Sequence, residues 1–175
     1  MVKKNNINGR GIREGERDDF VHTGPGTLAG RYLRRFWQPI YVSEELPKGK
    51  IVPIKILGEE LALYRGESST PRVITNECPH RLSVLNTGWI EGETIRCRYH
   101  GWRFDESGVC VEQPGEPRPF CHKIPRLASY PTCELHGLIF AYFGEGDPPA
   151  FPLLPGLEEG ASDNWTVSPS AEMIP

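Results

Sequence analysis

The chain has 175 residues, a net charge of -3 and a pI near 6.0, which suits one domain with appended segments and gives no basic footprint for nucleic acid. Nineteen glycines and 17 prolines favour short strands and turns over a helical architecture. No apolar run follows Lys3-Lys4 as a signal peptide requires, and none is long enough for a membrane span, so the five cysteines are expected in a reducing, cytoplasmic setting as free thiols or metal ligands.

Residues 1–24 are polar and unpatterned and read as a mobile leader that includes His22. From Thr27, the run TLAGRYLRRFW sets Leu28, Tyr32, Leu33 and Phe36 at helical spacing, with Arg31, Arg34 and Arg35 largely opposite, and predicts a short amphipathic helix. Strand-like runs follow at Ile40 to Val42, Ile51 to Leu57, Leu61 to Tyr64 and Arg72 to Thr75, with turns at Leu57-Gly58-Glu59-Glu60 and Arg65-Gly66-Glu67. Further runs are Trp102 to Phe104, Val109 to Val111, Leu127 to Tyr130, Glu134 to Leu138 and Ile139 to Phe143. Without helical crossovers these make an all-β fold, a small antiparallel β sandwich. Glu112 to Pro119 carries three prolines in eight residues and predicts an ordered loop, a lid or a plain connector. Pro148, Pro149, Pro152 and Pro155 mark a linker, and Asn164-Trp165-Thr166 matches a glycosylation acceptor only by coincidence in a cytoplasmic protein. The expected organisation is a leader and helix over residues 1–37, the β domain over 38–147 and a Pro-rich linker over 148–175.

The chemistry concentrates in two short pairs, Cys78-Pro79-His80 and Cys97-Arg98-Tyr99-His100, separated by 16 residues. Each offers one thiolate and one imidazole, the mixture of a [2Fe-2S] centre in which two cysteines hold one iron and two histidines the other. A finger-type zinc site has its cysteine pair before its histidine pair, whereas the order here is Cys, His, Cys, His, although four such donors still permit tetrahedral zinc. Cys110 and Cys133 fall in strand-like runs and read as small apolar core residues. A second metal site from Cys121, His122 and His136 has no recognisable spacing.

Cys78-x-His80-Arg81 with Cys97-x-x-His100-Gly101-Trp102 resembles the Rieske domain of ring-hydroxylating oxygenase large (alpha) subunits, especially the phthalate dioxygenase-like branch. Glu112-Gln113-Pro114 and the run Lys123 to Pro131 are similar to that branch too, so the likeness covers about residues 25–170. It implies a Rieske-type antiparallel β sandwich with a two-loop cluster-binding subdomain, and cofactor and metal ligation by Cys78, His80, Cys97 and His100. One departure is Leu82, where the family has glycine after the arginine, which predicts a locally different first loop.

The resemblance also implies a role: electrons enter singly from a reductase or ferredoxin and leave to a mononuclear Fe(II) in a catalytic domain of the same or a neighbouring subunit, in a homo-oligomer. That iron needs two histidines and a carboxylate, and no histidine follows His136, so it is expected in a missing catalytic domain whose start is cut short near Pro175. Trp102 and Phe104 stand where high-potential relatives carry serine and tyrosine, which predicts a low potential, near the bottom of the roughly -150 to +300 mV Rieske range. In the family the lid-like segment lies over the cluster, and Arg81 is a candidate contact for a partner. The alternatives are a freestanding Rieske ferredoxin-type carrier and a zinc-stabilised interaction module. Exposure of Leu28, Tyr32, Leu33, Phe36 and Trp37 separates the first of these from an oxygenase subunit.

Overall fold

The computed structural model describes residues 21–153. Residues 1–20 of the expected leader, Pro155 and the acceptor-like Asn164-Trp165-Thr166 lie outside the described residues. The order of elements is α1 (Leu28–Leu33) and then β1 (Trp37–Val42), β2 (Ile51–Ile56), β3 (Glu59–Arg65), β4 (Pro71–Thr75), β5 (Trp89–Glu91), β6 (Thr94–Arg96), β7 (Arg103–Phe104), β8 (Cys110–Glu112), β9 (Ser129–Tyr130), β10 (Thr132–Leu135) and β11 (Leu138–Tyr142). They form three antiparallel sheets ordered β1-β11-β10, β2-β3-β4-β9 and β5-β6-β7-β8. The all-β expectation holds, and the Cys78/His80 and Cys97/His100 pairs lie on loops flanking strands of the third sheet. Among the described residues no helix is long and apolar enough to cross a membrane.

Turn chemistry sets the registers. Leu57 and Gly58, at φ 48 and 76, make the two-residue connection of β2 and β3, so Leu57 belongs to the turn and not to the strand. His136 and Gly137, at φ 49 and 75, do the same between β10 and β11 and divide the predicted run Glu134 to Leu138. Positive φ at both central residues matches the right-handed twist of the flanking strands. The β5–β6 hairpin turns at Gly92-Glu93 and was not read from sequence, because three-residue strands are too short to display an alternation.

Strand β3 faces two cores. Leu61 and Leu63 join Ile40, Leu46, Val73, Ile139, Ala141 and Phe143 between the first two sheets, while Ala62 and Tyr64 point the other way into a cluster with Ile74, Leu85, Ile95, Trp102 and Phe104. Alternation sends successive side chains to opposite faces, and both faces here are covered. The Tyr64 hydroxyl donates to Glu93 O at 3.0 Å and ties this wall to the β5–β6 turn.

The helix presents a different face from the one its periodicity suggested. Its buried residues are the small Ala29 and Gly30, while Tyr32 and Phe36 are 59% and 50% exposed and pair edge to face at 5.2 Å. A Cβ on Gly30 would stand 2.2 Å from Gly24 O, so only glycine admits the chain wrapped around the helix start. Arg34, expected outside, turns inward to Glu59 and donates to Leu57 O at 2.9 Å, covering the β2–β3 turn. Leu28, Leu33 and Trp37 are half-buried. Trp37 packs on Tyr142 and Phe151, and its Nε1–H donates to Pro149 O at 3.0 Å, which holds the start of the Pro-rich segment against β1.

Candidate metal centre

Both Cys/His pairs lie in loops that close on themselves by the same pair of main-chain bonds. In the first, Cys78 N–H donates to Ser83 O at 2.9 Å and Leu82 N–H donates to Cys78 O at 2.9 Å. In the second, Cys97 N–H donates to Trp102 O at 2.8 Å and Gly101 N–H donates to Cys97 O at 3.0 Å. Leu82 therefore corresponds to Gly101 and Ser83 to Trp102. The shared turn requires a left-handed residue at its fifth position, and Leu82 supplies it at φ 57 where Gly101 has φ 74. The expected local difference at Leu82 is corrected: the leucine adopts the conformation glycine would take. At the base of the first loop Glu77 and Val84 form an isolated bridge, and buried Asn76 accepts the Asn86 N–H at 2.9 Å through Oδ1.

The sulfurs face inward and the rings outward. Cys78 and Cys97 are 1% and 2% exposed, His80 is half-buried and His100 exposed. The two thiols are close enough to share a hydrogen bond. Cys78 Sγ accepts main-chain N–H groups of His80 and Arg81, and Cys97 Sγ those of Tyr99 and His100, the same offsets in each loop. Cys97 gains a further donor from the Ser83 hydroxyl, across from the opposite loop. The bond received from Cys78 is the main cause that pulls the Cys97 thiol down to about 5, and donating it is the main cause that pushes Cys78 up, with burial adding to it. The shared hydrogen bond thus sets the two thiols apart in acidity, Cys97 below and Cys78 above the ordinary range.

The rings of His80 and His100 lie 4.5 Å apart, centroid to centroid. Trp102 stacks on His80 at 4.3 Å with planes 2° apart, and Tyr99 flanks His100 at 3.8 Å. His80 Nδ1 is buried with no protein partner, a costly state for a ring nitrogen unless a ligand is meant to take its lone pair. Two paired sulfurs, two paired imidazoles and one orphaned nitrogen fit a two-iron cluster by donor chemistry. Among the described residues no three or more His, Cys, Asp or Glu side chains gather as a single-ion site.

Several supporting residues escaped the sequence reading. Arg96 on β6 donates to Gly101 O at 2.7 Å, to both carboxylate oxygens of Glu91 at 2.7 Å and to Glu112 at 2.8 Å. Arg103, directly opposite Arg96 in the register, pairs with Glu112 at 2.9 Å and Glu91 at 3.5 Å. Two arginines facing each other across strands repel, and the two glutamates bridge them. Arg96, then Trp89, hold Glu91 down to about 2. A cross-strand charge pattern would have revealed this network, but only once the short strands had been placed. Ser83 left no signal, because its hydroxyl acts across the gap between loops.

The proline-rich loop packs on the second ligand turn: a Cβ on Gly101 would stand 2.9 Å from Pro114 Cγ. Buried Gln113 pins the same segment, its Oε1 accepting the Phe120 N–H at 2.6 Å. Trp102 and Phe104 are buried and bring no hydroxyl. Arg81 is exposed. Cys110 is buried as expected, while Cys133 is only half-buried in β10. Cys121 and His122 stand in the 3-10 turn Cys121–Lys123 and His136 in the β10–β11 hairpin.

An all-β domain that presents a buried thiol pair beside an imidazole pair on two matching loops has the donor set of an iron–sulfur protein. A family model described as the Rieske [2Fe-2S] domain matches residues 36–131, and the chain belongs to that family. It is 37% identical over 141 residues, 78% of this chain and 33% of the relative, to the 5,5'-dehydrodivanillate O-demethylase oxygenase subunit of a Sphingobium species. To the phthalate 4,5-dioxygenase oxygenase subunit of Pseudomonas putida it is 36% identical over 132 residues, 70% of this chain and 30% of that protein. Among solved structures, the reduced complex between oxygenase and ferredoxin in carbazole 1,9a-dioxygenase matches with a TM-score of 0.64 and 30% identity over 72% of this chain and 34% of that one. The chain spans about a third of the length of these relatives. The resemblance to the phthalate dioxygenase-like branch is thereby supported.

Proposed function

We propose that Cys78 and Cys97 hold one iron and His80 and His100 the other iron of a Rieske [2Fe-2S] cluster, and that the domain, over about residues 38–147, is the electron relay of an aromatic ring-hydroxylating or demethylating oxygenase subunit. The carrying observation is the pairing itself, sulfur with sulfur and ring with ring, on two loops of one hydrogen-bond pattern. When bound, the cluster supplies one-electron storage at a potential raised by imidazole ligation. The chain does the rest. Four main-chain N–H groups and the Ser83 hydroxyl stabilise charge on the sulfurs. Trp102 fixes the His80 ring, and Pro114, seated on Gly101, shields the second loop.

Exposed His100 would present the bound cluster to electron partners at the surface. The donor is a reductase or ferredoxin, and the acceptor a mononuclear non-haem iron with two histidines and a carboxylate, held by a catalytic domain of the same or a neighbouring subunit in a homo-oligomer. A cytoplasmic setting follows from this use of thiols as ligands. Of the five residues that separate the two readings, exposed Tyr32 and Phe36 favour an oxygenase subunit over a freestanding ferredoxin-type carrier, while Leu28, Leu33 and Trp37 are half-buried. The test is the visible and EPR spectrum of the purified protein with its iron and acid-labile sulfide. The expected result is equal amounts of iron and sulfide, a rhombic signal on reduction and a potential near the low end of roughly -150 to +300 mV. Cys78→Ser should abolish the spectrum. A colourless protein carrying zinc would overturn the proposal.

A further inference from the structure

Two sulfurs outside the metal centre also meet. Cys110 on β8 and Cys121 at the start of the 3-10 turn lie at the two ends of the proline-rich loop, and the Gln113 to Phe120 bond draws those ends together. Both belong to the apolar cluster that contains Trp102, Phe104 and Leu127, Cys110 buried and Cys121 half-buried at its edge. Their thiols are close enough to share a hydrogen bond. A small apolar core residue needs no second thiol beside it, and an isolated cysteine on a turn needs no buried one.

We propose that Cys110 and Cys121 are a dithiol site that a small-molecule disulfide of the glutathione type oxidises to an intramolecular disulfide, clamping the loop that carries Pro114. Cys121, the accessible sulfur, attacks one sulfur of glutathione disulfide as its thiolate. That S–S bond breaks and one glutathione thiolate leaves. Cys110 gives its proton to solvent and attacks the Cys121 sulfur, the new protein disulfide forms and the second glutathione thiolate departs. Two electrons pass from the protein thiols to glutathione, and two protons are released to balance them. Burial, and then the hydrogen bond to Cys121, push the Cys110 thiol up, so Cys121, nearer to solvent, is the sulfur that attacks first. The closed ring fixes Pro114 against Gly101 and so couples the redox state of the surroundings to the mobility of the second ligand loop.

The experiment exposes the full chain to glutathione disulfide between pH 7 and 9, quenches in acid, alkylates and digests with trypsin. Because Arg118 precedes Pro119 and resists cleavage, residues 104–123 form one peptide with Cys110 and Cys121 and no other cysteine. Cys78 and Cys97 report in separate peptides, so loading of the metal centre does not blur the outcome. The expected result is the loss of two hydrogens from peptide 104–123, reversed by reductant, at a rate that rises with pH. Cys110→Ser should instead stop with glutathione on Cys121. Recovery of the peptide with both thiols alkylated, or of wild-type protein stalled as the glutathione adduct of Cys121, overturns the proposal. Glutathione on Cys110 in Cys121→Ser does so too, because it would show Cys110 to be the accessible sulfur.

Discussion

Leu82 holds a left-handed conformation at φ 57 while 65% exposed, so packing returns little for the strain. Such a conformation costs a non-glycine residue roughly 1–2 kcal/mol, partly offset by the greater chain entropy that glycine would lose. Leu82→Gly is therefore expected to stabilise the protein by about 0.5–1 kcal/mol, read from urea unfolding; a loss of stability would mean that the exposed side chain has a contact of its own. Ser83 poses the electronic counterpart. Its hydroxyl donates to Cys97 Sγ, and removing one such donor weakens the reduced state by about 1 kcal/mol, roughly 40 mV for one electron. A redox titration of Ser83→Ala should find the midpoint lower by that amount, and an unchanged midpoint would remove Ser83 from any tuning role. At this scale the sequence was most informative about the candidate ligands, since a thiolate and an imidazole two or three residues apart are chemically conspicuous. It said nothing of Ser83, whose partner is fourteen positions away and meets it only through the fold.

The β5–β8 sheet is stapled by charge more than by length, its strands having only two or three residues. Glu91 carries the staple, and its carboxyl is held down to about 2 by Arg96 and Trp89. A group depressed in the folded state contributes stability above its unfolded pKa and loses it as pH falls through the folded value. The melting temperature should therefore decline between about pH 4.5 and 2. Glu91→Gln should melt lower at pH 7 and show a flatter decline in that window; parallel curves for the two proteins would sink the assignment. Most strands longer than four residues were legible because β-branched and apolar residues recur between turn formers. The β5–β6 hairpin was not, nor was the inward face of α1. There the small residues Ala29 and Gly30 allow close approach, and an ion pair draws Arg34 in, so a large-apolar criterion picks the wrong side.

Because β3 and β4 serve both apolar clusters, the sandwich and the subdomain with the ligand loops share a wall and cannot lose structure separately. Thermal unfolding followed by far-UV circular dichroism and by the visible absorbance of the bound centre is expected to give one coincident transition. Leu63→Ala, at a fully buried position facing only the sandwich core, should cost about 2–4 kcal/mol and shift both signals together. Visible colour that bleaches well before the dichroism changes would mean two separable units. The same wall explains why the fold class was readable from sequence while the division of labour was not: the run from Leu61 to Tyr64 is apolar throughout, and only the sheet order tells which neighbour each residue meets. Each ligand turn, finally, is fastened by amide-to-carbonyl links between residues that spare the imidazoles. The backbone course of each turn is thus set by contacts that do not involve the side chains it presents. Exchanging a histidine for another residue is therefore expected to remove a donor while sparing the scaffold that displayed it, which circular dichroism of His100→Ala would check.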